Sequence, residues 1–391
     1  MDKTVKLYYN SPYQKDFSSK VVECAMKNGK CEVVLESSCF YPGGGGQPPD
    51  MGFLNDEAVV DCYINDGIIY HVLENDICCF KTEDIVCGRA NFDRRYAFMQ
   101  NHTGEHILSG LAEDCYNAKN VGFHMSDRGI TMDFDKALSK EMLDNLEILA
   151  NKAVNKAIDV KITETQAHKL QEMNVRSKKE FGDYENVRLV DIAGYDLCAC
   201  AGLHVANTCE VNILKIASYQ KYKGGVRLNV YCGTDAMWDY TRKNALVKEM
   251  SGMLSADIDN ISAALDRLLV SAKAQKKEID SYKNIIFQMR ADTIAPGASI
   301  AYFFEDNLDD NDLRHFANIC AEKAQISIVF SKQGERYKYA ACTKDAKADL
   351  QSFVQKLNSA LEGRGGAKNT SASGAVNANY ALIADYLEGL A

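Results

Sequence analysis

Two pairs of potential metal ligands constrain this sequence more than any other feature. The first pair is His102 and His106, four residues apart at the start of an apolar run that predicts a helix. Residues at positions i and i+4 share one face of a helix, so both imidazoles can reach one metal ion. Much later in the chain, Cys200 and His204 offer a thiolate and an imidazole at the same spacing. We therefore predict that these four residues bind one zinc ion, which proteins hold through histidine nitrogen and cysteine sulfur.

Other interpretations of the same residues stay open at this point. With Glu105, the histidine pair also matches the inverted H-x-x-E-H zinc-peptidase pattern, in which the glutamate is the general base. A purely structural zinc ion is a third interpretation, because four protein ligands normally close a site. Cys198 is a rival for Cys200, although it lacks the four-residue spacing to His204. The missing acidic ligand downstream disfavours the peptidase.

Length and composition narrow the class of protein. The 391 residues, 46% hydrophobic and 25% charged, predict two or three domains with full hydrophobic cores. There is no apolar run long enough for a membrane helix and no signal-peptide pattern, so we expect a cytoplasmic protein without a membrane segment. The 14 scattered cysteines are then expected to be reduced. A net charge of −9 argues against indiscriminate nucleic-acid binding, but a local basic groove would still allow RNA.

The order of patterns predicts an α+β protein with four regions. Residues 1–88 alternate short β-runs with turn residues, which indicates a small N-terminal β-barrel. Residues 89–235 mix strands and helices around both ligand pairs and form the predicted α/β zinc-containing domain. Residues 236–295 predict a long helix with a heptad seam, which packs within the chain or, as we favour, forms a homodimer. Residues 296–391 predict a glycine-rich C-terminal α/β domain.

Two glycine-rich segments indicate where a ligand could approach the backbone. The first lies in a loop that holds three of the five prolines and consists of Gly43, Gly44, Gly45, Gly46 and Gln47. A loop with so few side chains exposes its amide groups to a ligand. The second, residues 363–370, predicts a flexible loop with two cations, a combination suited to phosphate groups. A mobile surface loop is an equally good interpretation of either segment alone.

Taken in order, these motifs resemble the editing domain of alanyl-tRNA synthetase and its free-standing relatives, the AlaX proteins. The family pattern is a β-domain whose glycine-rich loop ends in Gly-Gly-Gln, then His-x-x-x-His, then Cys-x-x-x-His. The heptad helix and residues 363–366 resemble the C-terminal dimerisation and tRNA-binding region of the same synthetase. Because the resemblance covers nearly the whole chain, it points to the long class of AlaX protein. The second ligand pair departs at Ala201 and Leu203 from the Cys-Gly-Gly-Thr-His that the synthetases favour.

The resemblance implies a function. The expected activity is hydrolysis, in trans, of wrongly charged tRNA(Ala), chiefly seryl-tRNA(Ala) and then glycyl-tRNA(Ala), without aminoacylation because the class II module is missing. His124 and Thr131 are expected to line the pocket and to orient the substrate hydroxyl or water. The alternatives are a zinc metallopeptidase, an inactive zinc-stabilised RNA-binding protein and an editing protein for another tRNA. The expected tRNA contacts are the local cations Arg94, Arg95, Lys221, Lys223, Arg364 and Lys368.

Overall fold

The chain forms two compact units, Met1–Glu249 and Met250–Ala391. The structure is a computed structural model, and it describes residues 2–27, 29–75, 77–173, 175–176, 186–334, 336–345 and 348–390. It is a mixture of helices and sheets, which confirms the α+β class. Within those ranges, no helix combines the length and apolarity needed to cross a bilayer. The division into four regions is finer than these two units and stays a prediction.

A closed β-barrel makes up most of the N-terminal part. The elements of this part are Val5–Lys6 (β1), Leu7–Asn10 (α1), Asp16–Lys27 (β2), Lys30–Leu35 (β3), Ser37–Ser38 (β4), Gly52–Leu54 (β5), Glu57–Asn65 (β6), Ile68–Leu73 (β7) and Ile85–Ala90 (β8). The barrel strands pair in the order β2-β3-β7-β6-β5-β8, and β8 pairs with β2 to close the barrel. Alternate residues, such as Val33 and Leu35, fill the interior. Asp66 and Gly67 join β6 to β7 with positive φ angles of 49° and 83°, as the tight turn of a two-residue hairpin requires.

His71 is a fully buried histidine on β7. Its Nδ1 lies 3.0 Å from the Val33 carbonyl oxygen, and its Nε2 lies 2.8 Å from the Ser38 hydroxyl oxygen. Because a carbonyl oxygen can only accept, Nδ1 donates to Val33 and Nε2 accepts from Ser38. The ring is therefore neutral in the folded protein. Burial lowers the pKa of His71 to about 4.

We expect the stability of the first unit to fall as the pH drops from about 6.5 towards 4, because the unfolded chain protonates His71 before the folded chain does. A base whose pKa is lowered in the folded state binds fewer protons there than in the unfolded state. Its contribution to stability is therefore complete only above its ordinary pKa and is lost as the pH falls towards the folded value. The expected loss is about 3 kcal/mol at the acidic end. Urea unfolding at several pH values measures it. His71→Gln removes the titrating group, and an unchanged pH dependence in that variant would refute the assignment.

A long buried helix organises the second half of the first unit. It is Phe92–Tyr116 (α2), and the elements after it are Asn120–Ser126 (β9), Gly129–Phe134 (β10), Lys140–Asn155 (α3), Val160–Gln166 (β11), Asn186–Ile192 (β12), Asp196–Ala199 (β13), Leu214–Tyr222 (β14) and Gly225–Cys232 (β15), with short 3₁₀ helices at Ala167–Glu172 and Thr208–Val211. One sheet has the order β14-β15-β10-β9, and the other has the order β11-β12-β13. The Asn91 side chain caps α2 by accepting from the Arg94 amide. Every residue of α2 from Phe98 to Ala112 is buried, so its histidines lie in the core.

The segment predicted to be helical at residues 236–295 is largely helical, but it is divided into two helices. The two helices are Gly233–Leu254 (α4) and Ile261–Ala291 (α5), with a 3₁₀ turn at Ile258–Asn260 between them. Ser255 has a left-handed φ of 47°, and the Ala256 amide donates back to the Ser251 carbonyl oxygen at 3.1 Å. These contacts form a Schellman-type helix end, which terminates α4.

The heptad spacing itself is retained on α5. Its apolar positions stay exposed in the single chain, and they include Leu265, Leu268, Ile279, Tyr282, Ile286 and Met289. An apolar face of this kind suits packing against another helix. The homodimer stays a prediction.

A five-stranded sheet with three helices completes the second unit. Its elements are Ala298–Asp306 (β16), Asp310–Cys320 (α6), Ala324–Gln333 (β17), Arg336–Cys342 (β18), Leu350–Ala360 (α7), Arg364–Lys368 (β19), Ser371–Val376 (β20) and Tyr380–Glu388 (α8). The order is β16-β17-β18-β20-β19, with β16 and β17 parallel around α6. The flexible loop predicted at residues 363–370 is wrong. The segment is an edge strand that pairs with β20 through a turn at Asn369, whose φ is 56°.

Candidate metal centre

Four donor residues from two separate parts of the chain meet in the core of the first unit. His102 and His106 come from one face of α2, and Cys200 and His204 come from the loop after β13. Their donor atoms all lie within 4.8 Å of one another, and all three histidines are buried. The Cys200 Sγ lies 3.4 Å from the His102 Nε2. We call these four residues the His–Cys centre.

The close approach of the two ligand pairs depends on Gly202. A Cβ atom at this position would lie only 2.1 Å from the His102 Cε1. Any other residue would therefore push the loop away from α2, and the two ligand pairs would separate. The Gly202 amide also donates to the Cys200 Sγ at 3.4 Å, which holds the sulfur in the centre.

Each imidazole of the centre is oriented by an oxygen atom at its Nδ1. The three oxygens lie at 3.3, 2.7 and 3.3 Å, and they are Gln47 Oε1 for His102, Asp196 Oδ2 for His106 and Thr103 Oγ1 for His204. The His102 Nε2 faces the Cys200 Sγ, and the His106 Nε2 lies 3.6 Å from the Glu105 Oε2. The His204 Nε2 is buried and has no hydrogen-bond partner among the described residues. Three oriented imidazoles, one thiolate and an unpaired buried nitrogen fit a bound zinc ion, whose histidine ligands are commonly fixed in this way.

A buried ion pair fixes the oxygen that holds His106. Arg176 donates from Nε and from one terminal nitrogen to the two oxygens of Asp196, at 2.8 and 2.7 Å. Burial alone would raise the pKa of Asp196, but Arg176 and His106 lower it to about 2. The carboxylate in turn raises the pKa of His106 to about 9, against the opposing effect of burial. Asp196 therefore stays ionised beside the centre.

The charge state of the sulfur also suits metal binding. Burial alone would raise the pKa of the Cys200 thiol, but the three neighbouring imidazoles hold it well below its ordinary value. Burial, together with repulsion from the other two imidazoles, lowers the pKa of His204 to about 3. A thiolate and a neutral imidazole are the protonation states that a zinc ligand requires.

The environment of Glu105 argues against the peptidase interpretation. Its Oε1 accepts from the Ser109 hydroxyl at 2.8 Å and from the Asn120 amide at 2.7 Å. The Arg176 Nη1 lies 3.6 Å from the same Oε1. A general base must present a carboxylate oxygen to the attacking water. The Glu105 Oε1 is instead held in a buried network of hydrogen bonds, and the Oε2 lies 3.6 Å from the Nε2 of the ligand His106.

His124 and Thr131 lie opposite each other on two neighbouring strands, β9 and β10. The Phe123 ring stacks on His102 with centroids 5.4 Å apart, so this residue of β9 faces the centre. Side chains alternate along a strand, and the next residue, His124, points to the opposite face of the sheet. Thr131 pairs with His124 on β10, and its hydroxyl donates to Asn229 at 3.2 Å. Strand alternation therefore places both residues on the face of the sheet away from the Phe123 ring, and their role in the pocket stays a prediction.

The first glycine-rich segment does lie against the centre. A Cβ atom at Gly45 would lie 3.7 Å from the Cys200 Sγ and 3.3 Å from the Gly202 amide nitrogen. Gln47 fastens the segment, because its Oε1 accepts from the Leu203 amide at 2.9 Å while also lying 3.3 Å from the His102 Nδ1. The loop predicted to approach a substrate therefore forms one wall of the site.

The predicted tRNA contacts fall into two groups. Arg95 is wrong, because it is fully buried and donates to Asp50. Arg94 is also largely committed to the fold, with bonds to Asp127 at 2.6 Å and to the Pro49 carbonyl oxygen at 2.7 Å. The remaining predicted cations are exposed, and they are Lys221, Lys223, Arg364 and Lys368.

Residues next to the ligands were missed by the sequence analysis. Thr103, Asp196 and Arg176 hold the centre but carry no metal-ligand spacing of their own. Asp196 lies four residues before Cys200, and this spacing is the only signal that could have indicated it. Cys198, the rival ligand, groups instead with His106 and Asp196 on the far side of that imidazole.

Comparison with known proteins identifies the class of this fold and site. Residues 187–229 match the family described as "Threonyl and Alanyl tRNA synthetase second additional domain". The segment includes the second ligand pair, so this part of the chain is similar to a synthetase second additional domain.

Two relatives show what the chain is similar to along its length. The chain is 26% identical over 401 residues to the alanyl-tRNA editing protein AlaX-L of Pyrococcus horikoshii, covering 97% of this chain and 96% of that protein. It is 28% identical over 396 residues to the alanine–tRNA ligase of Methanobrevibacter smithii, covering 94% of this chain but only 43% of the ligase. The chain is thus similar over almost its whole length to an AlaX-type editing protein of the long class, and to less than half of an alanine–tRNA ligase. It spans less than half the length of the ligases it matches.

A solved structure also matches the chain. It is the C-Ala domain from Aquifex aeolicus alanyl-tRNA synthetase, with 17% identity, coverage of 24% of this chain and 93% of that domain, and a TM-score of 0.22.

Proposed function

We propose that the chain hydrolyses the ester bond of wrongly charged tRNA(Ala) in trans, chiefly seryl-tRNA(Ala), with glycyl-tRNA(Ala) as a second substrate. The observation that carries this proposal is the buried His–Cys centre with the glycine loop against it. The relative matched over almost its whole length, an alanyl-tRNA editing protein, supports the same activity. We also propose zinc as the cofactor, since three imidazoles and one thiolate form a zinc-type donor set.

The residues of this chain would bind and orient the ester. A zinc ion bound by the centre supplies Lewis acidity, either to activate water or to hold the substrate, and four protein ligands favour the second role. Gln47 lies at the wall of the site, and its Nε2 is buried without a hydrogen-bond partner in the part of the chain that the structure describes. This amide is a donor for an oxygen atom of the aminoacyl group.

Gln47 also suggests a physical basis for serine selectivity. A buried donor that receives the serine hydroxyl is left unpaired when alanine occupies the pocket, and an unpaired buried polar group is costly. In this proposal, Gln47 takes the role that the sequence analysis gave to His124 and Thr131. Correctly charged alanyl-tRNA(Ala) would then be spared.

We also propose where tRNA binds and how the protein assembles. The exposed cations Lys221, Lys223, Arg364 and Lys368 are proposed phosphate contacts on an otherwise acidic chain. The exposed apolar face of α5 suits the proposed homodimer.

A deacylation panel tests the function. Seryl-, glycyl- and alanyl-tRNA(Ala) are incubated with the protein, alongside a panel of peptides. We expect the most rapid release of serine, because only serine has a hydroxyl that can satisfy the Gln47 amide. Glycine and alanine leave that amide unpaired, and we expect slower release of glycine, which has no side chain to fit into the pocket, and release of alanine near the uncatalysed rate. Cleavage of peptides without ester hydrolysis would establish the peptidase instead. Binding of tRNA without hydrolysis of any ester would establish the inactive RNA-binding protein.

A further inference from the structure

Three cysteines of the N-terminal barrel form a second cluster of soft donor atoms. Cys24 lies on β2, Cys31 lies on β3, and Cys78 lies in the segment after β7. The Cys24 and Cys31 Sγ atoms are 3.4 Å apart, and the Cys31 and Cys78 Sγ atoms are 3.7 Å apart. All three sulfur atoms lie within 4.8 Å of one another. We call these residues the barrel cysteine cluster, and none of them belongs to the His–Cys centre.

The spacing of the sulfur atoms matches that of a metal-thiolate site. Two sulfurs bound to one tetrahedral zinc ion at about 2.3 Å lie about 3.8 Å apart. The separations in the cluster, 3.4 and 3.7 Å, are close to this value. A disulfide requires about 2.05 Å, so no pair in the cluster is bonded. Three sulfurs could therefore bind one ion with small side-chain movements.

The surroundings of the cluster favour neutral thiols as long as no cation is bound. A backbone hydrogen bond from Phe80 reaches Cys24, although burial has the larger and opposite effect and raises the pKa of that thiol. Hydrogen bonds from backbone amides to thiolates are typical of the residues that support metal ligands. Burial also raises the pKa of Cys31, and its neighbouring thiols act in the same direction. Without a cation, the cluster is therefore held as thiols.

One side of the cluster remains accessible. Cys78 and the adjacent Cys79 are exposed, while Cys31 is buried at the base. Cys79 follows Cys78 directly in the chain, but its sulfur is not among the three that lie within 4.8 Å of one another. An ion can enter from this side, and Cys79 or solvent can complete the coordination. An entry path and a complete ligand set are both requirements of a functional metal site.

We propose that Cys24, Cys31 and Cys78 bind a second zinc ion in the barrel, with the fourth position on the side of Cys79. Binding replaces three S–H bonds with three zinc–sulfur bonds and releases three protons to solvent. No atom is oxidised or reduced. The ion would fasten the segment after β7 to strands β2 and β3, so its role would be structural and separate from ester hydrolysis.

Zinc stoichiometry tests the proposal. Reduced protein is stripped with a chelator, supplied with Zn²⁺, dialysed and analysed for metal by mass spectrometry. We expect Cys78→Ser to bind one zinc ion fewer than the wild-type chain, and Cys87→Ser, an exposed cysteine of the same barrel, to match the wild type. Cys78 is chosen because it is exposed, so its replacement should leave the fold intact. In a Cys200→Ala background, the zinc that remains should again depend on Cys78.

Cobalt provides an independent measurement. Co²⁺ bound by three thiolates should give a near-ultraviolet charge-transfer band about three times as intense as that of a site with one thiolate. The band should persist in Cys200→Ala, which retains the barrel cysteine cluster. Adding Cys78→Ser to that variant should remove the band. Equal zinc content in wild type and Cys78→Ser would overturn the proposal. So would a Cys24–Cys31 disulfide that forms on oxidation while the reduced cluster takes up neither metal.

Discussion

Replacing Cys200 with alanine is expected to remove zinc from the His–Cys centre and to reduce deacylation of seryl-tRNA(Ala) by more than about 100-fold, since losing only an outer-shell partner costs about 10- to 100-fold. Cys200 supplies the negative charge in the donor set, because its three companions are imidazoles. Without the thiolate, three neutral nitrogens would have to hold a divalent cation. Single-turnover deacylation and metal analysis of the variant measure the two effects.

A matched control separates loss of the ligand from a general effect of substitution. His124→Ala alters a histidine of β9, on the face of its sheet that points away from the centre. It should retain both zinc and activity, because it does not touch the centre. Full zinc content and activity in Cys200→Ala would exclude Cys200 as a ligand. Loss of zinc in Cys198→Ala, with retention in Cys200→Ala, would assign the role to the rival cysteine.

The second large effect is expected from Arg95→Ala, which should destabilise the first unit by about 3–5 kcal/mol because it leaves a buried carboxylate without its partner. Arg95 is completely buried, and it donates to one oxygen of Asp50 at 2.9 and 2.5 Å. It also donates to the carbonyl oxygens of Pro12, Gln14 and Cys39. Urea unfolding of the variant measures the loss.

The chain contains a matched exposed pair for comparison. Arg89 donates to Asp16 at 2.8 Å, but its side chain is 75% exposed and that of Asp16 is 54% exposed. Arg89→Ala should therefore change stability by less than about 1 kcal/mol. Exchanging both members of the buried pair for apolar residues of similar volume should recover much of the loss, because no unpaired charge remains. Equal effects of Arg95→Ala and Arg89→Ala would contradict the proposed cost of burial.

The parts of the site that sequence could predict are those set by local geometry. His102 and His106 share a helix face whatever the rest of the chain does, and Cys200 with His204 repeats that spacing. The glycine loop was predicted to approach a ligand because it has few side chains, and it lies beside the Cys200 sulfur.

The differences between the predictions and the structure have one physical origin, which is tertiary packing. Strand register decides that Phe123, and not His124, faces the centre, and one position along a strand reverses the direction of a side chain. Arg95 has the composition of a surface cation, but a buried aspartate 45 residues earlier in the chain holds it in the core. The helix break at Ser255 arises from a left-handed backbone at a residue that is not glycine. None of these outcomes follows from residue type and spacing.

The Gln47 side chain connects a loop of the β-barrel to both ligand pairs of the His–Cys centre. Its oxygen contacts one ligand pair through His102 and the other through Leu203, although Gln47 itself belongs to a loop of the β-barrel. The metal ligands and this residue of the proposed aminoacyl pocket therefore belong to different parts of the fold. If Gln47 contacts the aminoacyl group as proposed, a change in the barrel loop would also disturb the orientation of the ligand His102, so substrate preference and metal affinity are coupled through one side chain.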